Sequence, residues 1–550
     1  MNGWQDHLII MPIVLPLVAG ALMLLFDEKR RSLKAAISVG TVIALIAVAL
    51  ALLVRADSLP PGSKEVAAAV YRLGNWPAPF GIVLVSDRLS ALMLLLTGVL
   101  GLSALVFSLA RWSRGGPHFH TLFLFQLMGV NGAFLTGDLF NLFVFFEVLL
   151  AASYGLVMHG MGTVRVKAGL HYIAVNLAAS SLFLIGVSLI YGVTGTLNMA
   201  DLAVRIPMLD ERSRSFMEAG AAILGVAFLV KAGMWPLSFW LPTAYAAASA
   251  PAAAIFAIMT KVGVYVILRL SLLLFGNAAG DSAHFGSQVL LFGGMATIIF
   301  GAVGVLATQT MSRLAGYSIL VSSGTLLAAI GVGNTSATSG ALFYLVSSTL
   351  AISAFFLLIE LIERGRDPGA DVLAVTMEAF GYTDEEDGKE QDEEVGVTIP
   401  ATIAFLGGSF IACALLLAGL PPLSGFIAKF TLLAAILNPA GLGTGGSPSA
   451  VSWALVALLI LSGLSAMIAM TRTGIQTFWA SIKEEAPGVR IVEVVPITVL
   501  LLLTVWLTVQ SASVMRFMND TATTLHSPAG YVHSVIPALD LSSRPQGSMP

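Results

Sequence analysis

The 550-residue sequence predicts an all-α polytopic membrane protein of about fourteen transmembrane helices. Three observations carry that prediction. Hydrophobic residues make up 57% of the chain and charged residues 11%, where a soluble domain carries about 25% charged. Mean hydropathy is +0.89, more apolar than one water-facing domain can hide. Apolar runs of bilayer length, roughly twenty residues at 1.5 Å rise each, recur along the chain.

In order, the runs fall at 8–26, 34–55, 86–110, 118–137, 139–158, 168–193, 218–241, 250–273, 288–308, 314–333, 339–362, 400–422, 451–471 and 491–513. Only Gly137–Asp138 separates the fourth from the fifth, and a further half-helix follows 422. Residues 1–7 hold no Lys or Arg, whereas Lys29, Arg30, Arg31 and Lys34 follow the first run. That order is not a cleavable signal; it suits a first span with its N-terminus outside. A modest majority of the cations then lies in inner loops, Arg111, Arg165, Lys167 and Arg472 among them. An even span count returns the C-terminus to the outer side as well. Residues 56–85, with Pro60, Pro61, Trp76, Pro77 and Pro79, read as a partly folded outer connection. The inner segment 364–396 contains YTDEEDGKEQDEE and reads as a solvated acidic linker, a partner-docking site being the sharper possibility. The Ser- and Pro-rich tail from about 520 reads as flexible.

Several functions are disfavoured. A net charge of −3 without a basic tract gives no footprint for nucleic acid. Cys413 is the only cysteine, which excludes an internal disulfide, Cys-ligated zinc or an Fe–S cluster held by this chain alone. The sequence shows no Walker motif, nucleophile elbow or metal cluster. No cofactor, metal or catalytic residue is expected, and a transporter subunit fits better than an enzyme.

Four charges stand inside apolar runs: Glu147 in LFNLFVFFEVLLAASYGLVM, Lys231 in ILGVAFLVKAGMW, Lys261 in IFAIMTKVGVYVI and Lys429 after GLPPLSGFIAKF. An ionisable group at that depth costs a few kcal/mol on insertion scales, so it needs a partner or water. The plainer reading of Glu147 with Lys231 is a static pair that fixes helix packing. The functional reading is a switch in which proton arrival at one partner weakens the pair. Lys261 and Lys429 extend the series, although either could snorkel toward an interface. Asp138, at the break between two runs, is a helix-end contact or a place where cations enter. Arg269, Glu360 and Arg313 lie near span ends and read as anchors or loop partners; His159 and His171 read as surface residues. Gly129, Gly132 and Gly137 read as sites of close helix packing.

An internal echo strengthens the series. Pro236-Leu237-Ser238 follows Lys231, and Pro422-Leu423-Ser424 precedes Lys429. Proline inside a span frees carbonyls that only protein or water can satisfy. Paired broken helices in two halves point to an inverted-repeat transporter with its ion path between them.

The stretches QLMGVNGAFLTGDLFNLFVFFEVLLAASYGL (126–156), VKAGMWPLSFWLP (230–242) and APAAAIFAIMTKVGVYVILR (250–269) resemble the antiporter-like membrane subunits. Among these they most resemble the D-type subunit of the multisubunit Mrp (Pha, Mnh) monovalent cation/proton antiporters. The wider family includes the proton-pumping membrane subunits of respiratory NADH dehydrogenase, which leaves a redox-driven pump subunit as the alternative. The resemblance implies fourteen helices with two inverted five-helix repeats: 1–117 before them, 118–273 the first, 274–482 the second with its acidic loop, and 483–550 the last helix and tail. It implies a hydrated midplane axis in which Glu147, Lys231, Lys261 and Lys429 transfer protons. It also implies other Mrp-type subunits as partners, Na⁺ or K⁺ and protons as cargo, and a bacterial cytoplasmic membrane as location. Related chains often carry histidine where this one has Ser238 and Ser347. Coupling between Lys261 and Lys429 would then depend on water and on Ser322, Ser323, Tyr344 and Ser347, hydroxyls that relay protons but do not store them.

Overall fold

The computed structural model describes residues 4–27, 29–63, 66–114, 118–160, 162–364, 401–438, 448–478 and 488–536. Helices α1 (Met11–Leu24) and α2 (Arg31–Asp57) pack together and lead to an antiparallel hairpin. In it, β1 (Ala69–Arg72) pairs with β2 (Val83–Ser86), Ala69 opposite Ser86. The partly folded connection expected over 56–85 is therefore a small hairpin. α3 (Arg88–Ser108) starts at a capping box: the Ser90 amide donates to the Asp87 carboxylate, and Asp87 N–H donates to the Ser90 hydroxyl, each at 2.9 Å. Such a cap contributes about 0.5–2 kcal/mol.

The next set comprises α4 (Phe119–Leu135), α5 (Leu139–Met158), α6 (Thr163–Thr194), the short α7 (Met199–Arg205), α8 (Glu211–Ala232), the short α9 (Leu241–Ala247) and α10 (Ala250–Leu274). A second set follows: α11 (Ser287–Ala307), α12 (Met311–Val332), α13 (Thr335–Glu363), α14 (Ala401–Ala418), α15 (Ser424–Leu437) and α16 (Ala450–Phe478). The described chain ends with α17 (Ile491–Val509), α18 (Ser511–His526) and α19 (Ala529–Val535). Among the described residues twelve helices are long and apolar enough to cross a membrane, and α1, α4 and α15 are shorter apolar helices. The all-α polytopic class is borne out.

Two helices form the centre. The most apolar stretches of α10 and α13 are buried throughout, so these helices are shielded by the others, while α2, α6 and α17 expose much of theirs. Small residues let backbones approach. A Cβ on Gly129 would fall 2.6 Å from the Leu149 nitrogen across α4 and α5, and one on Gly294 would fall 2.7 Å from the Gly324 oxygen across α11 and α12. Gly129→Val is expected to destabilise the α4–α5 contact by about 1–3 kcal/mol and to lower the yield of folded protein in detergent, measured by size-exclusion profile.

Two expectations need correction. The run 218–241 is not one helix. α8 stops at Ala232, because Gly233 adopts φ 74° and closes the helix end, with Gly233 N–H on Val230 O and Met234 N–H on Leu229 O. Nor is the tail from 520 flexible as far as 536. The Ser534 hydroxyl accepts the Ala67 amide at 3.1 Å, and Tyr531 is buried; α19 is held beside the hairpin, while α18 packs against α13 and α10. The acidic run YTDEEDGKEQDEE and the last fourteen residues lie outside the described residues. The N-terminal turn, the hairpin and α19 meet on one side of the bundle, with His7 against Tyr71 and Ser534 against Ala67; we call it the hairpin face. The ends of α5, α13 and the start of α17 gather on the other, the loop face.

Candidate functional site

The four charges predicted from the sequence all lie within the bundle. Glu147 is half-buried, and Lys231, Lys261 and Lys429 are buried, Lys261 completely. The structure does not bring Glu147 and Lys231 into a salt bridge. α6 stands between them instead. The Ser180 hydroxyl donates to Glu147 Oε1 at 2.5 Å. One helical turn away, Asn176 Oδ1 accepts from Lys231 Nζ at 3.4 Å while the amide's Nδ2 donates to Tyr172 O. Lys231 also lies 5.3 Å from the centre of the Phe146 ring, beside Glu147. The expected contact pair is thus an acid and a base bridged by the polar side chains of a third helix.

Lys261 projects from the central helix α10. Its Nζ donates to Ser322 Oγ on α12 at 2.7 Å, and Ser322 shares a 3.0 Å hydrogen bond with Ser348 on α13. No carboxylate lies within salt-bridge reach among the described residues. A fully buried ammonium carries three donors, so a single hydroxyl partner leaves it undersatisfied.

Lys429 is held differently. α14 ends at Gly419 (φ 75°), and its last carbonyls point into the break. Lys429 Nζ donates to Ala418 O at 2.9 Å and Leu417 O at 3.3 Å, a cation at a helix C-terminus, where the dipole favours it. Gly463 on α16 gives it room: a Cβ there would lie 3.2 Å from Nζ.

Two serine pairs link the helices that stand between Lys261 and Lys429. Ser347 on α13 and Ser424 at the start of α15 share a 2.8 Å hydrogen bond. A cavity of about 20 Å³ is lined by Ser322, Tyr344, Ser347, Ser348 and Ser462, enough for about one water. It touches both serine pairs. Ser322, Tyr344 and Ser347 are therefore brought together, as the sequence suggests. Ser323 and Ser238 are not: both are buried with hydroxyls that have no partner among the described residues, and neither lines the cavity.

Asp138 caps α5, its Oδ1 accepting the Phe140 and Asn141 amides at 2.8 and 3.0 Å. Burial pushes its carboxyl up, with those amides opposing. Of its two expected roles, the geometry displays the helix-end contact. Glu360 takes Arg364 at 2.9 Å and Trp112 Nε1 at 2.5 Å on the loop face. His159, expected at the surface, is instead buried against the Trp112 carbonyl, because the chain folds back over it from α3.

Asn176, Ser180, Ser348 and Ser424 join the site without a charge to announce them in the sequence. A signal does exist for Asn176: an amide in the middle of a span is itself expensive and pairs with something.

The profile of the family described as NADH:quinone oxidoreductase/Mrp antiporter, transmembrane, matches residues 136–442. The chain is 60% identical over 538 residues to the probable K(+)/H(+) antiporter D subunit of Rhizobium meliloti, covering 98% of this chain and 99% of that one. It is 34% identical to the Na(+)/H(+) antiporter D subunit of Alkalihalophilus pseudofirmus, covering 97% and 100%. Among solved structures, a chain of the Mrp complex from Dietzia sp. DQ12-45-1b superposes with a TM-score of 0.78 at 26% identity, covering 97% and 100%.

Proposed function

This chain belongs to the NADH:quinone oxidoreductase/Mrp antiporter family of membrane subunits, and we propose that it is the D-type subunit of a multisubunit monovalent cation/proton antiporter, conducting protons along its midplane. Its partners are other Mrp-type subunits, and its location is the bacterial cytoplasmic membrane. The single observation that carries the proton reading is the ordered polar series across the two sets of helices. Glu147–Ser180 and Asn176–Lys231 meet at α6; Lys261–Ser322–Ser348 and Ser347–Ser424 flank one cavity; Lys429 closes the series on the end of α14.

Each unit has a distinct part. A proton arriving at Glu147 neutralises the carboxylate, removing the negative charge that favours ammonium at Lys231 across α6. Lys231 then releases its proton toward Lys261. From there hydroxyl rotation through Ser322 and Ser348, with one water in the cavity, carries a proton toward Lys429. The carbonyls of Leu417 and Ala418 stabilise the charged form of Lys429. Protons reach α10 from the loop face through a cavity of about 310 Å³ whose walls include Arg165, Tyr245, Ala253, Phe356 and Glu360. The excess of Arg and Lys in the loops on that side supports a cytoplasmic loop face and an outer hairpin face. Asp138 keeps its capping role and receives no transport step.

The relative at 60% identity is named for K⁺ and the one at 34% for Na⁺, so both ions enter the test. Everted vesicles from an antiporter-deficient host carrying all the neighbouring subunit genes are energised, and the pH gradient is followed with a fluorescent dye. K⁺ or Na⁺ is expected to collapse the gradient. An assembled complex that answers to neither ion would overturn the exchange reading and favour the redox-driven alternative.

A further inference from the structure

A second charged cluster lies at the other end of the same helix stripe. Lys261, Tyr265 and Arg269 are spaced by four on α10, which puts Arg269 about 12 Å along the axis from Lys261, toward the hairpin face. Arg269 is buried and grips Asp87, at the start of α3, with both terminal nitrogens. Burial alone would raise the Asp87 carboxyl, yet the Arg269 charge and the bonds from Arg269 and Ser90 hold it below the ordinary carboxylate value. The pair stays charged at neutral pH. Tyr265 accepts from Arg269 at 3.1 Å and donates its own proton to the Phe134 carbonyl at 2.6 Å. A carbonyl has no proton to pass on, so the hydrogen-bond chain ends there. Above the pair sits the terminal helix: the Tyr531 ring lies 5.4 Å from the Arg269 guanidinium. Tyr531, Thr524, Leu525 and Pro528 close a cavity of about 20 Å³ over Asp87 and Arg269, room for about one water.

We propose that the Arg269–Asp87–Tyr265 cluster, lidded by the helix that bears Tyr531, is a charge barrier closing the hairpin-face end of the α10 stripe. No group of the cluster is free to carry a proton onward: the guanidinium does not deprotonate, Asp87 is held as its ionised partner, and the Tyr265 proton is committed to the Phe134 carbonyl. The barrier keeps a proton at Lys261 from escaping sideways to the outer side before it has travelled the series. The inference rests on the reading of Lys261 as a proton carrier.

The test uses the whole complex in liposomes with an internal pH dye, an imposed pH gradient and choline as the only external cation. Two variants are compared with the unmodified complex: Tyr531→Ala, and the paired Asp87→Asn with Arg269→Gln, which keeps hydrogen-bonding groups but removes both charges. Each is expected to dissipate the gradient about tenfold faster, equivalent to about 1.4 kcal/mol off the barrier. Adding Lys261→Met is expected to abolish the extra leak. A paired variant as tight as the unmodified complex would overturn the barrier, as would a leak indifferent to Lys261→Met. Loss of exchange without leak would also overturn it, since the cluster would then be a conducting route. If the paired variant fails to assemble, Tyr531→Ala carries the same outcomes by itself. Exchange by the unmodified complex on adding K⁺ or Na⁺ is measured alongside; its absence would count against the antiporter reading and not against the barrier.

Discussion

Lys261→Met is expected to reduce cation-dependent proton exchange by about a hundredfold or more, the scale on which a positioned proton carrier contributes, while the complex still assembles. The two halves of this expectation come from the same observation. Lys261 is wholly buried with one hydroxyl partner and, among the described residues, no carboxylate in reach. Replacing such a charge with an apolar side chain of similar volume relieves desolvation, so stability should be unchanged or improved. Exchange is read in energised everted vesicles and assembly on native gels. A Lys261→Met complex that assembles and exchanges at the unmodified rate would make the buried charge a relic of packing. The same measurement on Ser322→Ala separates carrier from relay: the hydroxyl only passes the proton, so about a tenfold loss is expected.

Glu147→Gln is expected to have an effect as large, for a different reason. The amide retains an oxygen to accept the 2.5 Å bond from Ser180, so the packing of α5 on α6 survives while the charge is lost. Lys231 then no longer responds to proton arrival, and exchange falls by about a hundredfold. Because α6 separates the two groups, the bridging residues make a finer prediction. Asn176→Leu is expected to slow exchange about tenfold and to leave the Ser180–Glu147 bond intact. A direct ion pair would predict no effect of Asn176. Initial rates of dye recovery after cation addition distinguish the two.

The fold is legible in the sequence because its physics is local. Apolar runs of bilayer length locate the helices to within a few residues in most cases, and buried charges at 147, 231, 261 and 429 mark the interior. The break at Gly233 is half legible: Pro236 signals it, but the helix ends four residues earlier, where a left-handed glycine stops it. The internal echo also runs further than the prolines, since Gly233 and Gly419 each precede Pro-Leu-Ser by three residues. The site is less legible because hydroxyls and amides carry no charge signal. Ser348 and Ser424 look like any small residues in a span until the fold sets them against Ser322 and Ser347. Asp87 and Arg269, 182 positions apart, are paired only by the packing of α3 on α10. The docked helices α18 and α19 read as tail because polar composition alone does not reveal a docking surface.

The central claim is that protons cross this subunit through its buried charges. The most direct measurement is exchange by an assembled complex in which Glu147→Gln, Lys231→Met, Lys261→Met and Lys429→Met are combined. The account predicts that K⁺ or Na⁺ no longer moves the pH gradient in energised everted vesicles, although the altered chain stays in the complex. Exchange at the unmodified rate from that fourfold variant would contradict it.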